Sequence, residues 1–270
     1  QNEIAYLGSY VVNGDCVAWP TVQAQKKILR YMAELDPSLP TETFVDVVAS
    51  RAVNAFPWTY RQYSMMTNLL PALNKKPLEG DPPVGVSPSD LDAAMKERIG
   101  RLIDRSDDKI TLLSLGPLTP IAELIKTLGP EFVDAVEELV WMGGAIPPVI
   151  GNIDTGIAMG ANDHAEWNAY WDPYAVDTVF QSGLPVTLFP LNVTNDYMLD
   201  NAFFENYIFP NQTHPLVDLA GQMYSTVAFE AGYSLWDTVA TAYLGKPDLF
   251  ALSSQQLTID TDFASPRFGS

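Results

Sequence analysis

The hydrophobic positions of the chain fall into short continuous runs, separated by stretches in which apolar residues recur every three or four positions. The runs cover residues 4–12, 44–48, 110–115, 139–142, 186–191 and 257–262. Short apolar runs bounded by turn residues predict strands that are buried on both faces. Helical spacing covers residues 22–35, 63–73, 89–102, 119–129, 173–182, 216–230 and 235–244. Strands that alternate with helices predict an α/β fold with an open, mostly parallel sheet.

Residues at the ends of the predicted helices supply capping signals. Ser89 and Thr119 are placed to cap the helices that follow them, and Pro120 suits a first helical position. Gly129 is expected to end the second of these helices, because glycine adopts the backbone conformation of a helix end without strain. No linker or internal repeat divides the sequence, so residues 1–270 are expected to form one domain.

The loops that follow the predicted strands are the expected place of a functional site. Open parallel sheets bind their ligands beyond the carboxyl ends of the strands. The loops in question cover residues 12–15, 115–118, 142–145 and 191–195.

The composition restricts the partners of the protein. Its 270 residues include 33 acidic and 15 basic side chains, which gives a formal charge of -18. Such a surface repels the phosphate backbone of nucleic acid and an anionic membrane. No apolar run approaches the roughly 20 residues that span a bilayer. A hydrophobic content of 47% supports a packed core. We therefore expect a globular protein that binds neither nucleic acid nor membrane.

Cysteine and sequon content bear on the compartment. The single cysteine, Cys16, excludes an intramolecular disulfide and is interpreted as a buried or half-buried thiol. No signal peptide is visible after Gln1. Two N-x-T sequons begin at Asn192 and Asn211. Together with the acidic, lysine-poor composition they favour an extracellular or vacuolar glycoprotein.

Five segments, in a common order, resemble signature segments of the inosine-uridine preferring nucleoside hydrolases. They read ITLLSLGPLT at 110–119, VWMGGA at 140–145, GN at 151–152, AEWN at 165–168 with DP at 172–173, and WD at 236–237 with Ala240 and Tyr243-Leu244. Each segment is weak alone, but their order over residues 4–262 makes the resemblance to this family specific.

The resemblance implies a Rossmann-like α/β fold and an activity. Members of the family hydrolyse the N-glycosidic bond of ribonucleosides to ribose and free base, with a bound calcium ion and a cluster of aspartates near the N-terminus. The bond breaks through a ribosyl cation of oxocarbenium character, which carboxylates and amides support by holding the sugar hydroxyls. The expected partner is therefore a small-molecule nucleoside, and the expected cofactor is calcium.

The resemblance places the sugar beside Met142, Asn152, Glu166 and Asn168. Glu166 and Asn168 are separated by one residue, so on an extended segment both side chains would point the same way and could hold a diol. Asn162 is the alternative to Asn152, because it lies between Asn152 and Glu166 in the sequence. Met142 lines the sugar pocket at a strand end, or packs in the core.

The resemblance also assigns calcium ligands and a base-facing residue. Asp237 and the backbone carbonyl of Leu115 fall at calcium-ligand positions, and calcium prefers such oxygen atoms. Trp236 falls where members have either a histidine acid or a tryptophan that stacks on a purine. Tryptophan has a π-face but no proton to transfer at neutral pH, which implies a purine-leaning pocket. Trp58 is interpreted as a second stacking wall or as an ordinary loop aromatic. Both histidines are expected at the surface.

The sequence departs from the family at the aspartate cluster. The family opens with a strand that ends in Asp-x-Asp-Pro-Gly-x-Asp-Asp, which supplies most calcium ligands and the general base. Residues 4–15 resemble the second strand instead, and the similar pair Asp260 and Asp262 lacks the acidic residues that should follow. The catalytic residues are therefore unassigned. We expect a domain that is incomplete at its N-terminus and is completed by a companion segment or by a neighbouring subunit of a homo-oligomer.

Two functions stay open at this point. The first is a calcium-dependent nucleoside N-ribohydrolase, which binds calcium only if the aspartate cluster is present. The alternative is a catalytically inactive relative that acts as a structural or assembly subunit, or as a nucleoside-binding module. Release of free base from inosine in calcium buffer distinguishes them.

Overall fold

The computed structural model describes residues 4–14, 16–39, 43–54, 70, 73, 88–105, 108–153, 162–227 and 232–270. The described strands are β1 (Gly8–Asn13), β2 (Phe44–Arg51), β3 (Ile110–Ser114), β4 (Val136–Met142) and β5 (Val186–Phe189). The described helices are α1 (Ala18–Leu35), α2 (Pro88–Arg105), α3 (Thr119–Leu128), α4 (Pro130–Ala135), α5 (Trp167–Trp171), α6 (Pro173–Gln181), α7 (Leu191–Thr194), α8 (Asn201–Phe203), α9 (Pro215–Ser225) and α10 (Trp236–Gly245). A π-helical turn (Phe204–Ile208) and a 3₁₀ turn (Phe209–Asn211) continue α8, and a further 3₁₀ turn covers Pro247–Leu249.

The described strands pair in parallel. β1 pairs with β2, with Gly8 opposite Phe44. β4 lies between β3 and β5, with Leu139 opposite both Leu112 and Val186. The last four residues of β4 are buried on both faces, as expected for a central parallel strand. The α/β class and the parallel pairing that the apolar runs predict are confirmed.

One hydrophobic core joins the two sheets. Val48 of β2 and both Leu139 and Trp141 of β4 are buried in it, and Tyr10 and Val12 of β1 pack against it. Within the described part of the chain, β1 pairs with β2 alone and β3 with β4 alone. β1 and β3 therefore share a core but not a ladder of hydrogen bonds. A further strand between them stays a prediction.

The loops after β1 and β3 meet at one edge of the sheets. A Cβ atom added to Gly116 would lie 2.7 Å from Cγ2 of Val12, so only glycine fits there without a shift. A Cβ atom at Gly14 would lie 3.4 Å from the ring of Trp171 and 3.8 Å from Pro117. Two of the loops that were expected to carry the site are thus adjacent.

Some predicted strand ends are wrong. Residues 4–7 have no regular structure, and β1 begins only at Gly8. β5 ends at Phe189, because Pro190 has no N–H for the ladder, and Leu191 begins α7.

The predicted late strand is also wrong. Residues 257–262 form no strand, and none of them is fully buried, so they lack the burial that would select a sheet position. The backbone of Asp260 instead pairs with the end of the chain, accepting from Gly269 N at 2.8 Å and donating to Ser270 O at 2.8 Å. The predicted helix over 63–73 lies outside the described residues, apart from 70 and 73. No helix in the described ranges has the length and hydrophobicity of a transmembrane span.

Both residues that were predicted to cap helices lie inside those helices instead. Thr119 is the first residue of α3 rather than its cap, and its hydroxyl donates to Oδ2 of Asp172 at 2.6 Å. Ser89 lies inside the first turn of α2. Pro120 occupies the first turn of α3, and Gly129 ends this helix with a φ of 66°, as predicted.

Candidate functional site

The carboxyl ends of β4 and β5 are held together by the loops that follow them. Gly143 N donates to Phe189 O at 3.3 Å, and Leu191 N donates to Gly144 O at 2.9 Å. Met142, the last residue of β4, is 2% exposed. A fixed backbone with a glycine pair therefore forms one wall of the predicted site.

Glu166 is buried beside this wall. It is 2% exposed and is the N-cap of α5. Its Oε2 accepts from Gly144 N at 2.8 Å and from Ala169 N at 3.2 Å, and its Oε1 accepts from Asn168 N at 2.9 Å. The prediction that Glu166 and Asn168 lie on an extended segment is wrong, because Trp167 already begins the helix. Capping by Glu166 turns the chain into α5.

The environment of the Glu166 carboxyl sets its protonation. Burial raises its pKa from 4.5 to about 7, while the backbone N–H donors act in the opposite direction by favouring the carboxylate. The group therefore changes charge near neutral pH. A buried carboxyl that titrates in this range is typical of functional sites, although structural groups show it too.

Asn168 connects α5 to the end of β4. Its Nδ2 donates to Met142 O at 2.9 Å and lies 3.4 Å from Met142 Sδ. Met142 is at the same time part of a buried cluster with Val140 and Phe189. The Met142 side chain thus packs in the core and contacts the Asn168 carboxamide, and its place in the sugar pocket stays a prediction.

The structure distinguishes the two candidate asparagines before Glu166. Oδ1 of Asn162 accepts from the backbone N–H groups of His164 and Ala165, both at 2.9 Å, and its Nδ2 donates to Phe268 O at 2.9 Å. Both ends of the Asn162 side chain therefore hold the backbone. Asn152 uses only Oδ1 in the described contacts, accepting from Trp167 N at 3.0 Å. This geometry favours Asn152 as the ligand-facing residue.

Trp236 is the first residue of α10. Its ring packs against the cluster that contains Met142 and Leu191, and it is half-buried. Its Nε1 donates to Oδ1 of Asn195 at 2.8 Å. The ring of Tyr233 meets it edge-on, with ring centroids 4.9 Å apart and an interplanar angle of 62°. The orientation of the indole ring is thus fixed by two neighbours.

Comparison with known proteins identifies the family. The family model for inosine-uridine preferring nucleoside hydrolases matches residues 1–267. The chain belongs to this nucleoside hydrolase family. The resemblance of its sequence segments is thereby confirmed.

Individual relatives agree with this assignment. The chain is 33% identical over 154 residues to the non-specific ribonucleoside hydrolase RihC of Klebsiella pneumoniae, covering 57% of the chain and 47% of the relative. It is 31% identical over 157 residues to RihC of Escherichia coli K12, covering 58% and 48%. The chain thus spans about half the length of the curated relatives that it matches.

Solved structures show the same fold. An inosine-uridine preferring nucleoside hydrolase from Bacillus anthracis matches with a TM-score of 0.81 and 28% identity, covering 99% of this chain and 81% of that one. A purine-preferring ribonucleoside hydrolase from Gardnerella vaginalis matches with a TM-score of 0.67 and 22% identity, covering 100% and 80%, which supports the fold alone.

The described residues of the chain do not make a calcium site by themselves. Asp237 lies exposed in the first turn of α10, and Leu115 follows β3 with 38% exposure. They offer two oxygen ligands, whereas calcium takes roughly 6–8. The described ranges contain no group of three or more histidine, cysteine or acidic residues that could hold a metal ion. The ligand roles of Asp237 and Leu115 stay predictions.

A calcium titration tests whether the chain has too few ligands to bind the ion. We expect a preparation that contains residues 1–270 alone to show no calcium affinity in the micromolar range by isothermal titration calorimetry, because most of the ligands are lacking. A one-to-one isotherm with micromolar affinity would show that the chain holds the ion unaided.

Three other side chains lie where they were expected. His164 and His214 are exposed, and His214 Nδ1 accepts from Leu216 N at 3.3 Å, which helps to begin α9. The Cys16 side chain is half-buried. Trp58 lies outside the described residues.

Sequence reasoning missed the roles of two asparagines and one backbone amide. Asn192 was noticed only as part of a sequon, yet its carboxamide pairs with the backbone of Ile146. Asn195 holds the Trp236 indole, and Gly144 N–H holds Glu166. The sequence signal for all three was their position in the loops that follow strands.

Proposed function

We propose that this chain supplies the ribose- and base-facing parts of a ribonucleoside N-ribohydrolase. The observation that carries the proposal is the convergence of Asn152, Glu166 and Asn168 around the first turn of α5, against the carboxyl end of β4. Membership of the nucleoside hydrolase family and relatives named ribonucleoside hydrolases support it.

The chemistry of these groups suits a ribosyl cation. Cleavage of an N-glycosidic bond leaves positive charge on the sugar, so the transition state gains most from fixed negative charge and oriented dipoles. In its ionised form, Glu166 supplies that charge from a buried position, where electrostatic interactions are stronger than in water. Asn152 and Asn168 supply amide groups for the sugar hydroxyls. Calcium, when bound, would hold and acidify the attacking water.

We infer a preference for purine nucleosides from Trp236. The large π-face of tryptophan stacks well on a bicyclic base. The hydrogen bond to Asn195 and the edge contact with Tyr233 hold the ring in one orientation. A stacking surface that is fixed before binding loses less entropy when the base arrives.

Residues beyond the described set are needed for the water-activating half of the reaction. The described acidic groups do not form a metal cluster. We propose that an aspartate-bearing segment, belonging either to the same polypeptide, to a bound companion or to a neighbouring subunit, completes the site. The groups that contact the sugar and the base would then lie in this chain, and that segment would add most of the calcium ligands to Asp237 and the Leu115 carbonyl.

A direct assay tests the proposed function. We expect the native protein, purified from its source, to release free base from inosine in calcium buffer, and to act on inosine with a higher kcat/KM than on uridine. Base release is followed by reversed-phase chromatography. Asn168→Ala should lower kcat/KM by about 10²-fold, because one oriented dipole is lost.

The control is Asn211→Ala, an exposed asparagine whose only described side-chain contact is with Tyr207 O. It should leave the rate unchanged. No base release from either nucleoside, in a preparation whose intact mass matches the native polypeptide, would favour the non-catalytic alternative.

A further inference from the structure

Residues 191–195, which we call the support segment, touch both sides of the proposed site. Asn192 Oδ1 accepts from Ile146 N at 2.8 Å, and Asn192 Nδ2 donates to Ile146 O at 2.7 Å. The preceding residue, Leu191, donates its N–H to Gly144 O at 2.9 Å. The loop after β4 is therefore held at two points by consecutive residues.

This loop carries one of the donors to Glu166. Gly144 N–H points to Glu166 Oε2 at 2.8 Å, while Gly144 O is bound by Leu191. The peptide groups on both sides of Gly144 are thus fixed. Asn192 binds the backbone of Ile146, which lies two residues after Gly144. These bonds keep the loop in the conformation that directs the Gly144 N–H at the Glu166 carboxylate.

The other end of the support segment reaches the base side. Asn195 Oδ1 accepts from Trp236 Nε1 at 2.8 Å. An indole N–H is a donor only, so this bond selects one orientation of the ring among those that packing permits. The contact joins α10 to the end of α7.

The support segment is itself firmly seated. Leu191 and Thr194 are 1% and 0% exposed. Leu191 belongs to the cluster formed by Val140, Met142 and α10 residues, and Thr194 Oγ1 donates to Pro190 O at 3.2 Å. Residues whose own rotamers are locked by packing can position the groups that they contact.

We propose that Asn192 and Asn195 are positioning residues of the nucleoside site, Asn192 for Glu166 through the Gly144 loop and Asn195 for the Trp236 ring. This inference rests on the proposed function. Asn192, on the sugar side, and Asn195, on the base side, both belong to the support segment.

Substitutions at Asn192 and at Asn195 are expected to change the kinetics in different ways. Asn192→Ala loosens the loop at the sugar, which every ribonucleoside shares, so kcat/KM should fall by a common factor of about 10- to 100-fold for inosine and uridine. Asn195→Ala frees the stacking ring, so KM for inosine should rise about tenfold while KM for uridine changes less. Asn211→Ala, the same chemical change at an exposed sequon, is the control.

Two spectroscopic readouts do not depend on activity. In protein labelled with ¹⁵N-tryptophan, the indole N–H signal of Trp236, assigned with Trp236→Phe, should shift and exchange faster with solvent in Asn195→Ala. In Asn192→Ala, the amides of Gly144 and Ile146 should lose protection from hydrogen exchange. Neither change should occur in Asn211→Ala. If Asn192→Ala does not fold, Asn192→Asp replaces it, because aspartate still accepts from Ile146 N but cannot donate to Ile146 O.

The outcomes distinguish the positioning roles of Asn192 and Asn195 from the proposed hydrolase function. An unmoved Trp236 signal, or unchanged protection of Gly144, overturns the corresponding positioning role whether or not the protein is active. An equal loss of kcat/KM for inosine and uridine in Asn195→Ala overturns its role on the base side. If wild type hydrolyses no nucleoside while both spectroscopic changes occur, the contacts stand and the proposed function fails.

Discussion

Glutamine in place of Glu166 is expected to lower kcat/KM for ribonucleosides by about 10²–10³-fold, because the fixed negative charge beside the ribosyl cation is lost. The side chain keeps its size, so the change isolates the charge and one acceptor. In wild type, both oxygens accept backbone N–H groups, from Gly144 and Ala169 on one side and from Asn168 on the other. An amide NH₂ cannot accept, so one set of donors loses its partner at a cost of about 1–3 kcal/mol.

Kinetics and unfolding measured together test this prediction. Steady-state rates with inosine give the first effect, and urea unfolding at pH 7 gives the second. Glu137→Gln is the matched control, because Glu137 is exposed on β4. A Glu166→Gln protein with wild-type kcat/KM would remove Glu166 from the proposed chemistry and leave it as a helix cap.

The pH dependence of stability follows from the same side chain. Below pH 4.5 the carboxyl is protonated in both the folded and the unfolded state. Between pH 4.5 and about 7 the unfolded state ionises while the folded state stays protonated, so the free energy of unfolding falls as the pH rises. The full loss corresponds to about 3 kcal/mol and is complete above the folded pKa.

The comparison with Glu166→Gln isolates this contribution from the other carboxylates. Urea unfolding between pH 4 and pH 8 should show a steeper decline for wild type than for the variant. Parallel curves would mean that the backbone donors offset burial, so that the pKa of Glu166 is the same in the folded and unfolded states.

The sequence patterns predicted the fold better than the site. The continuous apolar run at residues 139–142 identified β4, because a central parallel strand is buried on both faces, as these residues are. The end of β5 was placed too late, since Leu191 is as buried in α7 as it would be in a strand. Burial alone does not distinguish the two kinds of element.

The site geometry depends on contacts between residues that are distant in the chain. Nothing local in AEWN shows that Glu166 binds Gly144, which lies 22 residues earlier. Nor does the local sequence show that Asn162 donates to Phe268 O, which lies 106 residues later. Thr119 is predicted to cap a helix, but its hydroxyl donates to Asp172 instead. In each case tertiary packing selected one of several local possibilities.

The unpaired edges of β1 and β3 are the basis of the second prediction. We predict that a further strand, from the same polypeptide, a bound companion or a neighbouring subunit, lies between them in the native protein. Both strands pack against one core, through Val12 on β1 and Leu112 on β3, but each has one unpaired edge in the described part of the chain. The Ser9 hydroxyl on β1 is buried without a described partner.

An unfilled edge at this position would be costly. Each buried polar group without a partner costs about 1–3 kcal/mol. Several such groups would rival the roughly 5–15 kcal/mol by which a native protein is stable. Backbone N–H and C=O groups inside a core are almost always paired, so a strand in this place would provide partners for the free edges of β1 and β3.

Native mass spectrometry with N-terminal sequencing of protein purified from its source identifies the strand, and hydrogen exchange locates it. We expect additional polypeptide, or a defined oligomer, together with slow exchange of the amides of β1 and β3 that matches β4. Separation of a bound companion should abolish this protection and the hydrolysis of inosine together, because the same segment would carry the calcium ligands. A monomer of 270 residues with fully protected β1 and β3 would show instead that these strands need no additional polypeptide, and the catalytically inactive alternative would then account for the chain better than the hydrolase does.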